Sequence, residues 1–340
     1  MQIPGFSKAG KFYKGNFHMH STKSDGTLSP AETLEAYKSR GYDFVSLTDH
    51  FLDRDSLMKL VGRTEYEGVG EFITVTDTTA LRTDDFTTIL GAEYHGTGMS
   101  NGTPWHMVAV GLPLDFAPWD GKESIASITE RAKNAGAFIG IAHPAASLVT
   151  MDDVKQVLPF ADAIEVYNHA ANLFSDGESW YFSDILLQGG NRLTTYAADD
   201  SHSGGAPTSV LYRDAPAYTE NSTPEERARN SDAFGGWVHV KAESLDPDAL
   251  LAAIKAGDFY SSTGPEIKDI AIEDNEIVVK TSPASGVRAS GNGPTRFMKM
   301  AGAGPLIEEV RFPFTPEGYV RITVFGPDGT SAWSNPIWFS

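Results

Sequence analysis

Six of the nine histidines of this 340-residue chain stand where they could hold metal ions. His18 and His20 flank Met19 behind the entry Asn16-Phe17, and on a strand residues i and i+2 project to one face, so both imidazoles can converge on one ion. Asp25 follows in the turn Ser24-Asp25-Gly26, and His50 closes Thr48-Asp49-His50 behind an apolar run. Glu93 ends Gly91-Ala92-Glu93, His106 opens Trp105-His106-Met107-Val108, and His143 ends Ile141-Ala142-His143-Pro144. Asp200 and His202 come last, as Asp200-Ser201-His202. Each has a bland alternative when taken singly: Thr48-Asp49-His50 as a helix cap, His143-Pro144 as a strand terminator, His106 as a satisfied core histidine, Asp200 as a loop carboxylate. Gathered on one face without cations, six imidazoles and three carboxylates would carry a heavy desolvation and like-charge cost, and bound divalent ions reverse its sign. The set predicts a multinuclear metal site. With no cysteine in the chain, its ligands are nitrogen and oxygen, which suits zinc, manganese or iron without choosing among them.

The elements that must bring these residues together read as alternating strands and helices. The runs 44–48, 87–91, 138–142, 163–167 and 194–198 read as strands, and nearly every candidate ligand lies just past one. Ser29-Pro30-Ala31-Glu32 opens a helix with a capping box, stopped at Gly41, and 125–135 and 247–256 read as helices too. Such alternation fits an α/β barrel or a doubly wound sheet. The barrel is the reading adopted, because its strands present their carboxyl ends on one face, where active sites are built. Residues 97–104 and 203–235 read as long loops. After Gly264-Pro265 the pattern changes to short strand-like segments at 267–273, 276–281, 308–314, 319–325 and 332–339, with turn signals at Asp274-Asn275 and Gly326-Pro327-Asp328-Gly329. The expected organisation is therefore an α/β barrel over 1–264 and a small all-β, sandwich-like domain over 265–340. Ala301-Gly302-Ala303-Gly304 reads as a turn, since it lacks the GxGxxG pattern of a dinucleotide loop.

Composition narrows the partners. With 27 basic against 45 acidic side chains the net charge is −18, a field that repels polyanions and disfavours nucleic acid as the main partner. An apolar fraction of 41% excludes wholesale disorder. No apolar run approaches a membrane span, and Met1-Gln2-Ile3-Pro4-Gly5 lacks the features of a secretory leader, so a cytoplasmic chain acting on a small molecule is expected, with no membrane partner.

The ordered set His18-x-His20, Asp25, Thr48-Asp49-His50, Gly91-x-Glu93, His106, Ala142-His143-Pro144 and Asp200-x-His202 resembles the polymerase and histidinol phosphatase (PHP) metallohydrolases, over roughly residues 12–264. The resemblance implies a distorted (β/α)7 barrel holding two or three divalent ions. It places the first ion on His18, His20, Glu93 and Asp200, with Glu93 bridging to a second that adds His106 and His143. The third takes Asp25, His50 and His202. A hydroxide bridging the first two ions would attack the substrate, most of the family's substrates being phosphate esters. Phe259-Tyr260-Ser261-Ser262-Thr263-Gly264-Pro265 and Ala332-Trp333-Ser334-Asn335-Pro336-Ile337-Trp338 are similar to the CehA/McbA branch, whose barrel carries a C-terminal β domain; Glu165-Val166-Tyr167-Asn168 fits that branch too. One departure bears on substrate. Members acting on nucleotides usually continue the His143 motif with Gly-Arg, the arginine binding phosphate, whereas Ala145-Ala146 stand here. The basic residues near the motifs are Lys23, Arg54 and Arg192.

The catalytic candidates are Glu93, Asp200 and His202 within the ligand set, and Asn168, which with His169 could orient substrate or assist the leaving group. His95 could donate to a ligand carboxylate, and Asp49 and Asp199 could accept from ligand imidazoles or cap helices. Trp105, Tyr94, Tyr167 and Trp180 are as well explained by packing as by an apolar pocket, and His239 reads as an ordinary strand residue. Three functions follow. The leading one is a phosphoesterase on small-molecule phosphate esters. The second is a carboxyl or carbamoyl ester or amide hydrolase, which the tail and the missing arginine favour. The third is a non-catalytic metal-binding module.

Overall fold

The computed structural model describes residues 3–60, 73–203, 231–292, 296–314 and 317–339. It is a mixed α/β structure with additional β layers. One six-stranded sheet runs, in order of pairing, His50–Phe51, Gly91–Gly96, Trp105–Val110, Phe138–Ile141, Ala163–Asn168 and Thr194–Ala198. Its pairings are parallel except those of Trp105–Val110, which is antiparallel to both neighbours. Parallel strands covered on both faces need unbroken apolar runs, which Phe138–Ile141 supplies with every residue buried.

The second sheet carries Lys11–Asn16 between Phe44–Val45, which is parallel to it, and Trp237–Ala242, which is antiparallel. From Trp237–Ala242 it continues through Phe259–Ser262, Ser331–Ser334, Tyr319–Phe325 and Gly286–Gly291 to the edge strand Arg296–Met300. Strands before and after Gly264 thus share one hydrogen-bonded sheet. A third sheet joins Ile267–Glu273, Glu276–Ala284 and Ile307–Pro313. The first two of these meet in a hairpin whose turn residues Asp274 and Asn275 both have positive φ, as a two-residue turn matching strand twist requires.

The helices follow their sequence signals. Pro30–Lys38 starts on the capping box, with Ser29 Oγ accepting from Glu32 N at 3.3 Å and the Glu32 carboxylate accepting from Ser29 N at 2.9 Å. Ile125–Asn134 buries Ile125, Ile128, Thr129 and Ala132, one helical stripe. Asp246 caps Pro247–Lys255. No helix among the described residues is long and apolar enough to cross a membrane.

Several boundaries differ from the sequence reading. The run 44–48 forms only a two-residue strand, and the chain pairs again at His50–Phe51. Likewise 87–91 is split, so Glu93 lies inside the strand Gly91–Gly96 instead of ending one, because that segment pairs with strands on both sides. His18 and His20 lie just past the strand Lys11–Asn16, with Met19 bridged to Ser201. Gly286–Gly291 and Arg296–Met300 add two strands that the turn-rich composition concealed. Of the long loop expected at 203–235, residues 204–230 lie outside the described residues.

Two buried polar side chains are among the contacts that tie the tail to the rest. Arg321, 3% exposed, reaches Asp184 with two nitrogens at 3.0 and 2.8 Å and lies 4.3 Å over the Trp180 ring. Asn335 is equally buried: its Oδ1 accepts from Thr195 N at 2.7 Å, and its Nδ2 donates to Gly257 O and Phe259 O at 3.1 and 3.0 Å. Alanine at 335 takes the Asn335 partner from Thr195 N and Phe259 O, while Gly257 O keeps the Phe259 amide at 2.8 Å, and each buried group left unpaired costs ~1–3 kcal/mol. Urea unfolding of Asn335→Ala is expected to show a loss of roughly 2 kcal/mol or more.

Candidate metal centre

The residue behind the HxH pair does the first work of positioning. Phe17 is fully buried and packs its ring 5.8–6.2 Å from those of Phe44, Phe138, Tyr196 and Phe259, so the backbone leaving Lys11–Asn16 is anchored directly below His18. Asp49 holds the next segment. Its carboxylate accepts from Ser21 N at 2.7 Å and from the hydroxyls of Ser24 and Thr76, which fixes the turn bearing Asp25. Gly26 closes that turn where a Cβ would lie 2.6 Å from Ser21 N.

Side chains from these segments converge in three interlocking groups: His18, His20, Glu93 and Asp200; His20, Asp25, His50 and His202; and His50, Glu93, His95 and His106. Within each group one donor atom per residue lies within 4.8 Å of all the others. His18 Nε2 is 3.1 Å from Asp200 Oδ1 and 3.5 Å from Glu93 Oε2, and His20 Nε2 is 3.0 and 3.4 Å from the same two atoms. His50 Nε2 and His202 Nε2 both stand 3.4 Å from Asp25 Oδ2. His106 Nδ1 is 2.6 Å from Glu93 Oε1. His143 directs Nε2 at Glu93 Oε1 and Asp200 Oδ2, at 3.4 and 3.8 Å.

These residues fit divalent ions. His18 Nε2 and Glu93 Oε2 are buried without a hydrogen-bond partner, a costly state for two polar atoms facing the same space. Ligands ~2.0–2.2 Å from a tetrahedral ion sit a little over 3 Å from one another, which is the spacing seen around Glu93 and Asp200. The outer ring nitrogens are engaged as well. His18 Nδ1 faces Glu165 Oε1 at 2.9 Å, His143 Nδ1 faces Ser147 Oγ at 2.8 Å, and His202 Nδ1 faces the Asp200 carbonyl at 2.9 Å. The carboxylate and the carbonyl only accept, which leaves the inward nitrogens of His18 and His202 as the lone-pair donors.

The backbone is strained where it delivers two of these groups. His143 and Asp200 have φ of 26° and 57°, a region that costs non-glycine residues free energy. Hydrogen bonds hold both in place: His143 N donates to Glu165 Oε2 at 2.7 Å, and Asp200 N to His18 O at 2.9 Å. Beside them Asp199 accepts from Asn16 Nδ2, Tyr37 OH and the amides of Phe234, Gly235 and Gly236, all at 2.8–2.9 Å.

Electrostatics couples the carboxylates to the imidazoles. Burial pushes Asp25, Glu93 and Asp200 up, but the surrounding histidines hold all three below the usual carboxylate range. In return, against the pull of burial, the carboxylates raise His18, His50 and His143, and Asp25 and Asp200 push His202 up to about 9. His20, His95 and His106 move the other way, lowered chiefly by burial.

The structure thus brings together all nine residues singled out as ligands, and it adds detail. Glu93 and His106 group with His50 and His95, while His143 joins through Glu93 and Asp200. Asn168 spends its amide within the protein: Nδ2 donates to Glu165 Oε2 and Asp200 Oδ2 at 3.0 and 3.1 Å, and Oδ1 caps a short helix by accepting from Ala171 N. These bonds hold the Asp200 carboxylate. His169 is engaged by Tyr167 OH and Ser231 O. His95 meets a ligand imidazole instead of a carboxylate, and Asp49 and Asp199 accept from hydroxyl, amide and backbone donors, not from ligand imidazoles. Arg192 lies over the Trp338 ring, and His239 takes a hydrogen bond from Trp237 Nε1. Glu165 was missed as an orienting group, since within Ala163–Asn168 it reads as one strand residue among others.

No family model matches the chain. Over 37 residues, 11% of the chain, it is 51% identical to the DNA polymerase/3'-5' exonuclease PolX of Bacillus subtilis strain 168, a match spanning only 6% of that polymerase. Among solved structures it is similar to a two-domain protein from Bacteroides vulgatus containing a predicted PHP-like metal-dependent phosphoesterase. The TM-score is 0.52 at 17% identity, with 99% of this chain and 98% of that one covered. At that identity the likeness is one of fold alone. An amidohydrolase from Chromobacterium violaceum matches at a TM-score of 0.38 and 15% identity, over 64% of this chain and 98% of that one.

Two predictions follow from the geometry. Glu165→Gln replaces the carboxylate that orients His18 with a neutral, weaker acceptor, and metal affinity is expected to fall about 10–100-fold, read by competition with a chromophoric chelator. The second concerns protons. His18, His50, His143 and His202 sit above their ordinary values before an ion binds, and an ion needs them neutral, so binding at pH 7 releases protons. Apparent affinity should rise with pH through about 9, where His202 gives up its proton. The raised His202 stabilises the ion-free fold fully below pH ~6.5, and that contribution is lost as pH climbs through about 9. Calorimetry of zinc binding in buffers of different ionisation enthalpy measures the released protons; a buffer-independent enthalpy contradicts the assignment.

Proposed function

We propose that the protein is a metal-dependent hydrolase of the PHP type acting on small-molecule phosphate esters, its α/β part being the distorted barrel of that superfamily. The observation that carries the proposal is the interlocking of donor groups through His20, His50 and Glu93, which suits adjacent ions better than isolated ones. His18, His20, Glu93 and Asp200 would hold one ion, Asp25, His50 and His202 a second, and Glu93 with His106 and His143 a third. Bound there, divalent ions supply an acidified water and a Lewis-acid seat for the substrate's oxygens.

The protein's own groups do the rest. Asn168 and Glu165 hold Asp200 and His18 in register, so the charged centre needs no reorganisation when substrate arrives. Charge favours phosphate: three divalent ions outweigh the four carboxylates in contact with the imidazoles, Asp25, Glu93, Glu165 and Asp200, and the surplus is positive. A phosphate monoester is close to dianionic at neutral pH, and a carbonyl ester is neutral. Beside the centre a cavity of about 630 Å³ reaches His95 and His106, walled by Leu52, Trp119 and Leu148, with Lys59 the one lysine or arginine among its described lining residues. This volume takes a drug-sized leaving group, and its mixed lining suits an aromatic or apolar alcohol better than a polyanion.

The absence of arginine from that lining favours a second reading, hydrolysis of carboxyl or carbamoyl esters or amides of the CehA/McbA type. One panel separates the readings: p-nitrophenyl phosphate, bis-p-nitrophenyl phosphate, p-nitrophenyl acetate and a p-nitrophenyl carbamate, with the manganese-loaded protein and Asp200→Ala. Monoester turnover that drops in the variant to the level of metal-free protein is expected. Turnover of carbonyl substrates alone moves the assignment to the second reading. Silence on all four, with ions bound, leaves a metal-binding module.

A further inference from the structure

Three imidazoles of the centre share one arrangement. The inward nitrogens of His18, His143 and His202 face the shared carboxylates, and the outward nitrogens meet oxygens: a carboxylate, a hydroxyl and a backbone carbonyl. His50 has the same inward aim, with Nε2 3.4 Å from Asp25 Oδ2, yet its Nδ1 hydrogen-bonds another histidine, 3.1 Å from His95 Nε2. His95 is fully buried, and its own Nδ1 lies 3.0 Å from the Trp105 carbonyl.

The tautomers follow from the carbonyl. A carbonyl oxygen only accepts, so the His95 proton sits on Nδ1, and the Nε2 of the neutral ring carries a lone pair and no hydrogen. Facing that lone pair, His50 must carry its proton on Nδ1, which leaves Nε2 free toward Asp25 and His202. Glu93 Oε2, 2.7 Å from His50 Nδ1, lies close by without a hydrogen bond to it. His95 is held from another side by the edge of His106, with ring centroids 4.4 Å apart and planes at 85°, so its lone pair has a fixed direction.

We propose that His95 is a positioning residue: it is the acceptor that sets the tautomer and orientation of His50, and through it the affinity for the ion held with Asp25 and His202. This rests on the reading of the centre as a site for several ions. A neutral imidazole draws less on a ligand's N–H than a carboxylate does, so His50 is a weaker ligand than His18, whose partner is Glu165. The ion on Asp25, His50 and His202 is therefore the most readily exchanged of the set.

Metal content after dialysis against a weak chelator tests this in the full chain. His95→Phe, which keeps bulk and removes the acceptor, is expected to retain one ion per chain fewer than the unmodified protein. His95→Gln, whose carboxamide oxygen can accept in the same place, should restore that ion. Asp25→Ala loses the same ion, so Asp25→Ala/His95→Phe should hold no fewer than Asp25→Ala alone. Full metal content in His95→Phe overturns the proposal, as does a further ion lost in the double variant, which would make His95 a direct ligand elsewhere. Nitrogen-15 spectra of the zinc-loaded, unmodified protein give a readout independent of variant folding: the His50 proton is expected on Nδ1, and a proton on Nε2 overturns the proposal. A protein that takes up no ions defeats the reading of the centre itself, a result distinct from any of these.

Discussion

Burying Asp25, Glu93 and Asp200 among imidazoles within a few ångströms of one another is the constraint on which the rest of the structure depends. In a medium of low polarity, charges of one sign at that spacing repel strongly, and unpaired polar atoms lose the water they would otherwise hold. The ion-free centre meets part of the cost by pairing, with the carboxylates held low and His18, His50, His143 and His202 raised, while burial lowers His20 and His106. What remains, the unpaired His18 Nε2 and Glu93 Oε2, is what a cation satisfies.

Holding such a centre open demands rigidity, and the fold supplies it from several directions. The aromatic group around Phe17 anchors the HxH segment from below, Asp49 ties down the Asp25 turn, and the five donors on Asp199 pin the backbone beside Asp200. The positive φ angles at His143 and Asp200 are tolerated because Glu165 and His18 hold those backbones by hydrogen bonds. The C-terminal strands contribute at longer range. Asn335 pairs the Thr195 amide at the start of Thr194–Ala198, the strand that leads to Asp200 and His202, so the tail buttresses the segment carrying two candidate ligands.

The nine ligand candidates were legible in the sequence because each follows a recognisable apolar run or turn, and their residue types admit little besides cations when gathered. The capping box at Ser29 and the stop at Gly41 were legible for the same local reason. What escaped depends on contacts between distant segments. Glu165 and His95 acquire their parts only when the neighbouring strands place His18 and His50 against them, and neither spacing nor residue type encodes that. Glu93 reads as a strand end because the apolar run before it is short, yet pairing on two sides extends the strand to Gly96. Arg296–Met300 is an edge strand with mostly exposed side chains, so it has no buried face to leave an alternating apolar pattern.

The central claim is that His18, His20, Asp25, His50, Glu93, His106, His143, Asp200 and His202 together hold adjacent divalent ions. Anomalous diffraction from manganese-soaked crystals, recorded on both sides of the metal absorption edge, tests it most directly. The account predicts neighbouring anomalous peaks bracketing the Glu93 carboxylate, with one lying among Asp25, His50 and His202. Peaks elsewhere on the surface, or a fully soaked crystal with none at Glu93, would contradict it.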